Sequence, residues 1–320
     1  MSWLVTGGAG YIGAHVIRAL DEAGMSPVVV DSLSSGVRGF VPEHIPLLEL
    51  SILQRDELAH AMLRYRVRGV IHLAGYKYAG ESVRYPLHTF EQNVTGTATL
   101  LQAMADAGVE RIVFSSSAAV YGTPREELVT ERTPTYPQSP YGQSKLVAEW
   151  LIRDQAVAAG IAHTSLRYFN VVGSGDKHLY DASAHNLFPL IFRALAAGER
   201  PTIFGTDYDT ADGTCVRDYV HVADLALAHV AAARRLERGE PVEPVYNLGS
   251  GQGVSVREIM QAVAEVTGHR FEPRLAERRP GDPARIVADG SLAARDLDWR
   301  MRHSLGQMVA SAFRAAPTLR

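Results

Sequence analysis

Residues 3–13 read WLVTGGAGYIG, an apolar run that passes directly into a glycine-rich turn and then into residues at helical spacing. Gly7, Gly10 and Gly13 follow one another at intervals of three, in the order strand, turn, helix. Glycines at these places permit a tight turn and let a pyrophosphate approach the backbone, where it meets free N–H groups at the helix N-terminus. The stretch predicts a dinucleotide-binding turn after the first strand of an α/β fold.

Strand and helix patterns alternate along the first half of the chain. Short apolar runs lie at 3–6, 28–30, 47–50, 70–73, 112–114 and 164–168. Between them, apolar residues at helical spacing mark 11–23, 56–65, 89–107 and 144–159. Repeated strand–helix–strand units form parallel sheets with helices on both faces. We therefore predict an α/β fold, a doubly wound parallel sheet of the Rossmann type, with a smaller C-terminal α/β lobe.

The pattern changes after residue 171. Stretches rich in Gly and Asp interrupt it at 173–181 and 205–213, and 241–244 and 272–283 have the composition of loops. The apolar segment at 245–248 is suited to return as a strand to the first sheet. We expect a dinucleotide-binding domain at 1–170 with a returning segment at 217–250, and a substrate-binding lobe formed by 171–216 and 251–320.

Composition excludes several classes of protein. The 320 residues contain 32 Lys and Arg against 35 Asp and Glu, so no strong positive field awaits a nucleic acid or an anionic membrane. No apolar run approaches the ~18 residues of a membrane-spanning helix. Cys215 is the only cysteine and no HExxH motif occurs, so we expect no metal site. The first residues enter a strand without a signal region, and we expect a cytoplasmic protein.

An acidic residue ends the second predicted strand. Asp31 lies 18 residues beyond Gly13, where a carboxylate accepts hydrogen bonds from an adenosine ribose and repels a 2′-phosphate. NAD is therefore the expected cofactor, in preference to NADP. A solvated turn aspartate is the alternative interpretation, and Arg38, several loop residues further on, carries less weight.

A tyrosine and a lysine lie four residues apart at the start of a predicted helix. Tyr141 and Lys145, in the sequence YGQSK, leave the same helix face, and the chain has only three lysines in all. A free phenol titrates near ~10, and an adjacent ammonium favours the ionised form that a base near neutral pH requires. Ser117 follows the fifth strand, where its hydroxyl is suited to relay a proton between a substrate and Tyr141. A surface Tyr/Lys pair with a serine-rich turn is the alternative.

Eight segments spread over the chain resemble one family. They are TGGAGYIG at 6–13, HLAGYKYAGESV at 72–83, NVTGT at 93–97, SSSAAVYG at 115–122, SPYGQSK at 139–145, RYFN at 167–170, IFGTDYDTADGTCVRDYVHV at 203–222 and RRPGD at 278–282. On these residues the chain is similar to the extended short-chain dehydrogenases/reductases and, within them, to the UDP-glucose 4-epimerases. The first and fifth segments are shared by many enzymes of sugar nucleotides, whereas the second and seventh are more specific to the epimerases.

The resemblance implies a role for each matching residue. The implied catalytic set is Ser117, Tyr141 and Lys145. The implied NAD-binding residues are Gly7, Gly10, Tyr11, Ile12, Gly13, Asp31, Ser51, Ile52, Leu73, Ala74, Gly75, Lys77, Asn93, Ser115, Tyr141, Lys145 and Tyr168. The implied sugar-nucleotide contacts are Lys77, Ser117, Tyr141, Asn170, Asn186, Leu187, Phe204, Arg217, Arg279, Asp282 and Ile286. Arginine suits a diphosphate, and Phe204 offers an aromatic face to a pyrimidine.

Two positions depart from the family pattern. Where the family usually has an acidic residue for the adenine, this chain has Ser51 before Ile52. Where many members have a tyrosine beside the sugar pocket, and others a cysteine, this chain has Ile286. The second departure leaves the preferred sugar open.

The function that the resemblance implies is NAD-dependent epimerisation at C4 of a nucleotide sugar through a transient 4-keto intermediate, with UDP-glucose and UDP-galactose as the expected pair. A 4-epimerase of UDP-N-acetylglucosamine, UDP-glucuronate or a dTDP-hexose is the first alternative. A 4,6-dehydratase also begins by oxidising C4, but this chain has Ala118 and Ala119 in place of the Asp-Glu that expels water. A non-catalytic NAD-sensing protein typically lacks the Tyr/Lys pair. The resemblance also implies a homodimer through helices near 85–107 and 142–159.

Overall fold

The computed structural model describes residues 2–183, 185–279 and 282–317. In chain order the strands are β1 (Ser2–Thr6), β2 (Ser26–Asp31), β3 (Leu47–Glu49), β4 (Val67–His72), β5 (Arg111–Ser115), β6 (Ala162–Tyr168), β7 (Asn170–Val172), β8 (Thr202–Phe204), β9 (Val216–His221), β10 (Val245–Leu248), β11 (Gly253–Ser255), β12 (Arg274–Ala276) and β13 (Arg285–Ile286). The α-helices are α1 (Tyr11–Glu22), α2 (Arg55–Arg64), α3 (Ala79–Ser82), α4 (Pro86–Phe90), α5 (Gly96–Ala107), α6 (Pro140–Ala159), α7 (Leu187–Ala196), α8 (Val222–Glu237), α9 (Val256–Thr267), α10 (Ser291–Asp296) and α11 (Leu305–Ala315).

The main sheet is parallel and doubly wound. Within the described ranges it has seven strands in the order β10-β6-β5-β4-β1-β2-β3. The order reverses between β1 and β4, and in open parallel sheets the ligand crevice lies outside the carboxyl ends of the strands at such a point. The predicted Rossmann-type fold is confirmed, and the segment at 245–248 returns to this sheet as β10, beside β6.

Helices cover both faces of this sheet. On one face α1 and α8 pack over side chains such as Val5, and on the other α2, α5 and α6 pack over side chains such as Leu4. Successive strand residues point to opposite faces. Because both faces are buried, strands such as β1 and β2 are nearly continuous apolar runs, which is why the sequence predicts them.

A second, smaller lobe is built around β9. This strand pairs with β7 and β13 in parallel and with β11 in antiparallel register, and α7, α9 and α11 pack around it. Separately, β8 and β12 form a parallel pair in which Leu275 lies opposite Ile203. The prediction of a loop throughout 272–283 is therefore wrong at β12, because a strand of three residues is too short to carry an alternating pattern.

Where the sequence predicts one helix at 89–107, the structure has three consecutive helical segments. The first of them, α4, begins three residues before the predicted start, with Pro86 at its first position, and a π-helical turn at Glu91–Thr95 separates α4 from α5. A π turn widens the helix by one residue, and such turns are frequent at functional sites. Asn93 lies in this turn, and its carbonyl accepts from the Thr97 hydroxyl at 2.5 Å. The spacing of apolar residues does not reveal an inserted residue of this kind.

The chain crosses between the lobes repeatedly. After β10 has joined the main sheet, α9 and β12 lie in the smaller lobe, and then Leu297 and Trp299 return to the core under α8. The Trp299 indole donates to the Asp224 carbonyl at 2.6 Å. None of the helices in the described part of the chain has the length and apolar character needed to cross a membrane.

Candidate active site

A cleft of about 1140 Å³ opens at the carboxyl ends of β1, β4 and β5, with α7 on its other side. It exceeds the ~300–1,000 Å³ typical of a pocket for one small ligand. The sequence-predicted residues that line it are Gly7, Gly10, Tyr11, Ile12, Gly13, Asp31, Ser51, Ile52, Leu73, Ala74, Gly75, Lys77, Ser117, Tyr141, Lys145, Tyr168, Asn170, Asn186 and Leu187. The fold thus brings the glycine turn, the Tyr/Lys pair and part of the expected substrate set into one space.

The glycine turn presents backbone to the cleft. A Cβ on Gly13 would lie 2.1 Å from the Gly7 carbonyl oxygen, so the turn closes only around glycine. Gly7 itself has a φ of +73°, in the left-handed region. Gly10 is the N-cap of α1 and has no side chain with which to cap the helix. The first N–H groups of α1 are therefore available to an anion, as the pyrophosphate of a dinucleotide requires.

Asp31 is held rigidly beside this turn. Its carboxylate accepts from the N–H groups of Ala9 at 3.0 Å and Leu33 at 2.9 Å. Burial raises the pKa of Asp31, while those two donors and the Lys77 ammonium oppose the rise. Arg38, several residues further along the chain, is exposed and paired with Glu49 at 2.5 Å.

Ser117 and Tyr141 meet because two turns approach closely. Ser117 caps a 3-10 turn, its hydroxyl oxygen accepting from the Ala119 N–H at 3.2 Å, and its side chain is close enough to Tyr141 to oppose the rise in the pKa of that phenol. A Cβ on Gly142 would lie 2.5 Å from the Ala119 carbonyl oxygen, so glycine lets the start of α6 reach the serine turn. The Ser117 hydroxyl keeps its own proton to donate, which is what a proton relay needs.

Lys145 lies one helical turn beyond Tyr141 and is buried. Its Nζ donates to the Ser115 carbonyl at 3.0 Å and lies 4.9 Å from the centre of the Phe114 ring. Burial lowers the pKa of Lys145 to about 8, and the Glu149 carboxylate opposes this shift. Burial raises the pKa of Tyr141, and the Ser117 side chain opposes that rise. A cation next to a buried phenol is the arrangement that stabilises a phenolate.

Two expected cofactor residues lie behind the wall of the cleft. Asn93 accepts from the Tyr76 N–H at 2.6 Å and donates to the Tyr76 carbonyl at 3.0 Å and to the Ser144 hydroxyl at 2.8 Å. It therefore ties the loop after β4 to α6. Ser115 is fully buried, and its carbonyl holds Lys145. Both residues shape the site through their neighbours.

The two departures from the family pattern occupy different environments. Ser51 lines the cleft, and its hydroxyl oxygen accepts from the Leu53 N–H at 3.2 Å, which leaves the hydroxyl proton as the group it can offer to a ligand. Ile286 lies outside the cleft lining, in an apolar cluster with Tyr121, Leu146 and Phe169. Of that cluster, Phe169 also lines the cleft.

The remaining expected substrate residues form a separate cluster in the smaller lobe. The Arg279 guanidinium lies 4.0 Å from the centre of the Phe204 ring. Arg217 donates to the Pro283 carbonyl at 2.7 Å and lies 3.6 Å from the Asp282 carboxylate. None of these four residues is part of the cleft lining, although Arg217 lies on β9, which also carries the cleft residue Tyr219. Of the RRPGD segment at 278–282, Pro280 and Gly281 lie outside the described residues.

Several cleft residues were missed by sequence reasoning. Tyr219 lines the cleft opposite Asn170 on the neighbouring strand, and burial raises its pKa. A signal was available, because Tyr219 lies two residues after Arg217 on one strand and so shares its face. Asp181 accepts from the Asn186 amide at 2.6 Å, but it lies in an irregular segment whose sequence gives no indication of this contact.

The fold and the site together define a class of protein. A doubly wound sheet, a glycine turn, an acid at the ribose position and a Ser, Tyr and Lys set on one cleft are the features of the extended short-chain dehydrogenases/reductases. The model of the NAD dependent epimerase/dehydratase family matches residues 3–249. The chain belongs to this family.

Within this family, the chain is similar to proteins named UDP-glucose 4-epimerase. The UDP-glucose 4-epimerase of Azospirillum brasilense is 45% identical, over 97% of this chain and 90% of that protein. The crystal structure of UDP-glucose 4-epimerase from Stenotrophomonas maltophila, with bound NAD and formylated UDP-arabinopyranose, is 40% identical with a TM-score of 0.93, over 98% of this chain and 97% of the other. The enzyme from Bifidobacterium longum, in complex with NAD+ and UDP, is 36% identical with a TM-score of 0.90, over 98% of both chains.

Proposed function

We propose that this protein is a UDP-glucose 4-epimerase, an isomerase that interconverts UDP-glucose and UDP-galactose with bound NAD through a transient 4-keto sugar. The observation that carries the proposal is the convergence of the glycine turn, Asp31 and the Ser117, Tyr141 and Lys145 set in a single cleft. The names of relatives at 36–45% identity over nearly the whole chain support the choice of reaction and nucleotide.

The residues present fit NAD. The uncapped start of α1 and the close-packed Gly7 and Gly13 leave room for the pyrophosphate, and the Asp31 carboxylate faces the ribose position. Bound NAD supplies the acceptor and donor of a hydride. Lys145, already anchored on the Ser115 carbonyl, is placed to hold the second ribose as well as to act on Tyr141.

The chain's own residues handle the proton of the C4 hydroxyl. Tyr141 accepts it, either directly or through Ser117, whose hydroxyl can accept from the sugar and donate to the tyrosine oxygen. The positive start of α6 and the Lys145 ammonium stabilise the phenolate that this requires. Return of the same proton to the keto sugar, after the sugar has turned over, completes an isomerisation with no net redox change.

The other end of the substrate has its own set of partners. Arg217, Arg279 and Asp282, next to the Phe204 ring, are proposed to hold the uridine diphosphate, while Asn170, Asn186 and Leu187 border it from the cleft. Anchoring by the diphosphate leaves the sugar free to rotate between two faces, since arginine binds phosphate oxygens with fixed geometry. Ile286 is proposed to affect the sugar pocket through Phe169.

Product analysis tests the reaction. Purified protein is incubated with UDP-glucose, UDP-galactose, UDP-N-acetylglucosamine, UDP-glucuronate and dTDP-glucose, with no NAD added, and the products are separated by chromatography. We expect UDP-glucose and UDP-galactose to reach the same mixture from either side. A 4-keto-6-deoxy product would identify a dehydratase, and a panel left unchanged by wild type as well as by Tyr141→Phe would overturn the proposal of an epimerase.

The cofactor is tested separately. We expect denatured protein to release NAD, and Asp31→Ala to lose the preference over NADP because the carboxylate no longer repels a 2′-phosphate. Asp21→Ala is the matched control, since it removes an aspartate of the same domain that pairs with His44 at 2.8 Å and does not line the cleft. Release of NADP, or an unchanged preference in Asp31→Ala, would contradict the assignment.

A homodimer is proposed through α4 to α6. Leu87 on α4 and Val157 on α6 are 85% and 86% exposed, and Trp150 lies seven residues before Val157, on the same face of α6. These apolar side chains lie on helices that pack against each other, so a second copy of the chain can cover them in a two-fold arrangement. Light scattering should give twice the chain mass for wild type and for Leu275→Asp, a matched exposed leucine in the smaller lobe, but one chain mass for Leu87→Asp with Val157→Asp.

A cytoplasmic location is proposed as well. The free thiol of Cys215 is buried and fits a reducing compartment, and the proposed reaction uses the nucleotide sugars and NAD of that compartment. Fractionation of cells that make the tagged protein tests this: activity in the membrane or secreted fraction would contradict it.

A further inference from the structure

A buried histidine on α8 is hydrogen-bonded to Ser115, at the end of β5 next to the catalytic serine turn. His229, on α8, is fully buried. Its Nε2 lies 2.7 Å from the Ser115 hydroxyl oxygen, and its Nδ1 lies 2.9 Å from the Leu225 carbonyl oxygen. Ser115 is the last residue of β5, two residues before Ser117. The contact therefore joins α8 to the point where the catalytic serine turn begins.

These contacts fix the protons of the His229 ring. A carbonyl oxygen only accepts hydrogen bonds, so Nδ1 carries a proton and donates it to Leu225. Burial lowers the pKa of His229 to about 4, so the ring is neutral and Nε2 carries no proton. The Ser115 hydroxyl must then donate to Nε2.

Ser115 lies behind the cleft wall and contacts a side chain that lines the cleft. Its carbonyl oxygen accepts from the Lys145 Nζ at 3.0 Å. Its hydroxyl proton is committed to His229. The His229 ring also faces the Tyr168 ring, with 6.4 Å between the ring centroids. Lys145 and Tyr168 both line the cleft. Ser115 thus holds Lys145, while Tyr168 packs near the His229 ring itself.

We propose that His229 is a positioning residue for the epimerisation: by holding the Ser115 hydroxyl, it fixes the end of β5 so that the Ser115 carbonyl anchors Lys145. His229 does not line the cleft, and its hydrogen-bonded connection to Lys145 runs through Ser115. The inference rests on the proposed function, because the step it serves is the proton transfer through Tyr141.

Other charged or titratable groups also face Lys145. Tyr141 and Glu149 lie one turn away on α6, and Glu149 is itself held by Arg167 at 2.5 Å. His72, on β4, is buried, and burial together with Lys145 lowers its pKa to about 3, so it is neutral. None of these contacts involves His229. Its hydrogen bond to Ser115 leads to Lys145, and its ring also faces Tyr168, so a Ser115 variant is needed to separate the two connections.

The scarcity of lysine permits a direct measurement. Lys77, Lys145 and Lys177 are the only lysines of the chain, so protein labelled with [ε-13C]lysine gives three side-chain signals, and Lys145→Met assigns the Lys145 signal by its loss. We expect the titration midpoint of Lys145 to fall by about one pH unit in His229→Leu, because a weaker hydrogen bond to the ammonium disfavours its charged form.

Two further variants keep the proposal falsifiable if His229→Leu does not fold. Ser115→Ala retains the carbonyl but loses the hydroxyl, and we expect it to lower the same midpoint. In His229→Gln the amide oxygen can still accept from Ser115, and we expect the wild-type midpoint to return. We also expect kcat for UDP-glucose to fall about tenfold in His229→Leu with KM nearly unchanged, the pattern of a lost transition-state interaction.

A second histidine supplies the matched control. His163 lies at the start of β6, opposite Ile112, and its buried Nε2 has no hydrogen-bond partner among the described residues. His163→Leu should leave the Lys145 midpoint and kcat unchanged. A Lys145 midpoint at the wild-type value in both His229→Leu and Ser115→Ala would overturn the proposal, as would an equal shift in His163→Leu. The lysine titration needs no substrate, so it remains informative even if wild type fails to epimerise UDP-glucose.

Discussion

At the scale of single residues, burial acts in opposite directions on the two groups that YGQSK places four residues apart. It raises the pKa of Tyr141 and lowers that of Lys145 to about 8, because in each case it disfavours the charged form. Catalysis needs the reverse, a phenolate beside an ammonium. The Ser117 side chain, the start of α6 and the Ser115 carbonyl are the groups that offset burial.

These opposing effects on the two pKa values predict what happens when Ser117, Tyr141 or Lys145 is replaced. We expect Tyr141→Phe and Lys145→Met to lower kcat by about 10² to 10⁴-fold, the usual loss for a positioned proton-transfer group, and Ser117→Ala to lower it less. Steady-state rates with UDP-glucose measure this, and circular dichroism checks that the variants are folded. Turnover near the wild-type rate in Tyr141→Phe would remove Tyr141 as the base.

The buried lysine also makes stability depend on pH. Between the folded pKa of about 8 and the ordinary value of 10.5, the unfolded chain holds a proton that the folded protein has lost. The free energy of unfolding therefore rises with pH across this window, and the burial penalty is complete below pH 8. In a fixed excess of NAD, we expect wild type to gain roughly 2 kcal/mol over Lys145→Met between pH 7 and pH 9.5.

Urea unfolding at several pH values, with the two proteins side by side, makes the comparison. Groups that do not interact with Lys145 contribute equally to both proteins and cancel in the difference. Curves that run parallel from pH 7 to pH 9.5 would mean that Lys145 titrates at its ordinary value in the folded protein.

Individual residues were predictable where their chemistry is unusual for their position. Glycines at three-residue intervals after a strand, and a lysine in a chain with only three, attract attention without any structure. Asn93 and Ser115 were also selected, but the structure places them behind the wall, because a motif does not say whether a side chain faces a ligand or a neighbour. The sequence did not indicate a role for His229, since an isolated histidine in an apolar helix is usually a core residue whose ring nitrogens are hydrogen-bonded.

At the scale of secondary-structure elements, the site depends on how closely α6 approaches the serine turn. Strands such as β1 and β2 were predictable because they are buried apolar runs, whereas the π turn at Glu91–Thr95 was not, because it interrupts no apolar pattern. The contact of α6 with the turn at Ala118–Val120 depends instead on the absence of one methyl group, at Gly142.

That contact gives a prediction for Gly142→Ala. The added Cβ would lie 2.5 Å from the Ala119 carbonyl oxygen, so α6 must move away from the turn that holds Ser117. We expect a loss of about 1–3 kcal/mol in the free energy of unfolding, the usual cost of overpacking, together with a lower kcat.

Gly306→Ala is the control, since Gly306 also lies in the first turn of a helix but has no atom within 4 Å of its added Cβ. We expect this change to be neutral or to stabilise the protein by up to ~1 kcal/mol, with kcat unchanged. Equal stability and equal rates in the two variants would mean that α6 and the serine turn are not tightly packed.

At the scale of the whole molecule, the two lobes are joined by chain crossings and by shared packing. The sequence indicated the return of β10, because three of its four residues, VYNL, are apolar and follow a loop. It did not indicate that Leu297 and Trp299 also pack into the first core, since this short segment has no periodicity to read. Ile286 also connects the two lobes. It lies on β13 of the smaller lobe and belongs to one apolar cluster with Tyr121, Leu146 and Phe169 of the larger lobe.

This position bears on the choice of sugar. Because Ile286 touches Phe169, and Phe169 lines the cleft, a smaller side chain at 286 gives the ring room to move away from the sugar. We expect Ile286→Cys to raise kcat/KM for UDP-N-acetylglucosamine relative to UDP-glucose by up to about tenfold, the scale on which a few atoms in an apolar pocket discriminate between substrates. The same change should lower the free energy of unfolding by about 2 kcal/mol, because it removes buried atoms between the lobes.

Val287→Ala is the control, since Val287 is buried beside Ile286 but belongs neither to that cluster nor to the cleft lining. If both variants lose stability and neither changes the kcat/KM ratio, Ile286 joins the lobes without affecting the sugar pocket, and the preference for the acetamido group is set elsewhere in the cleft.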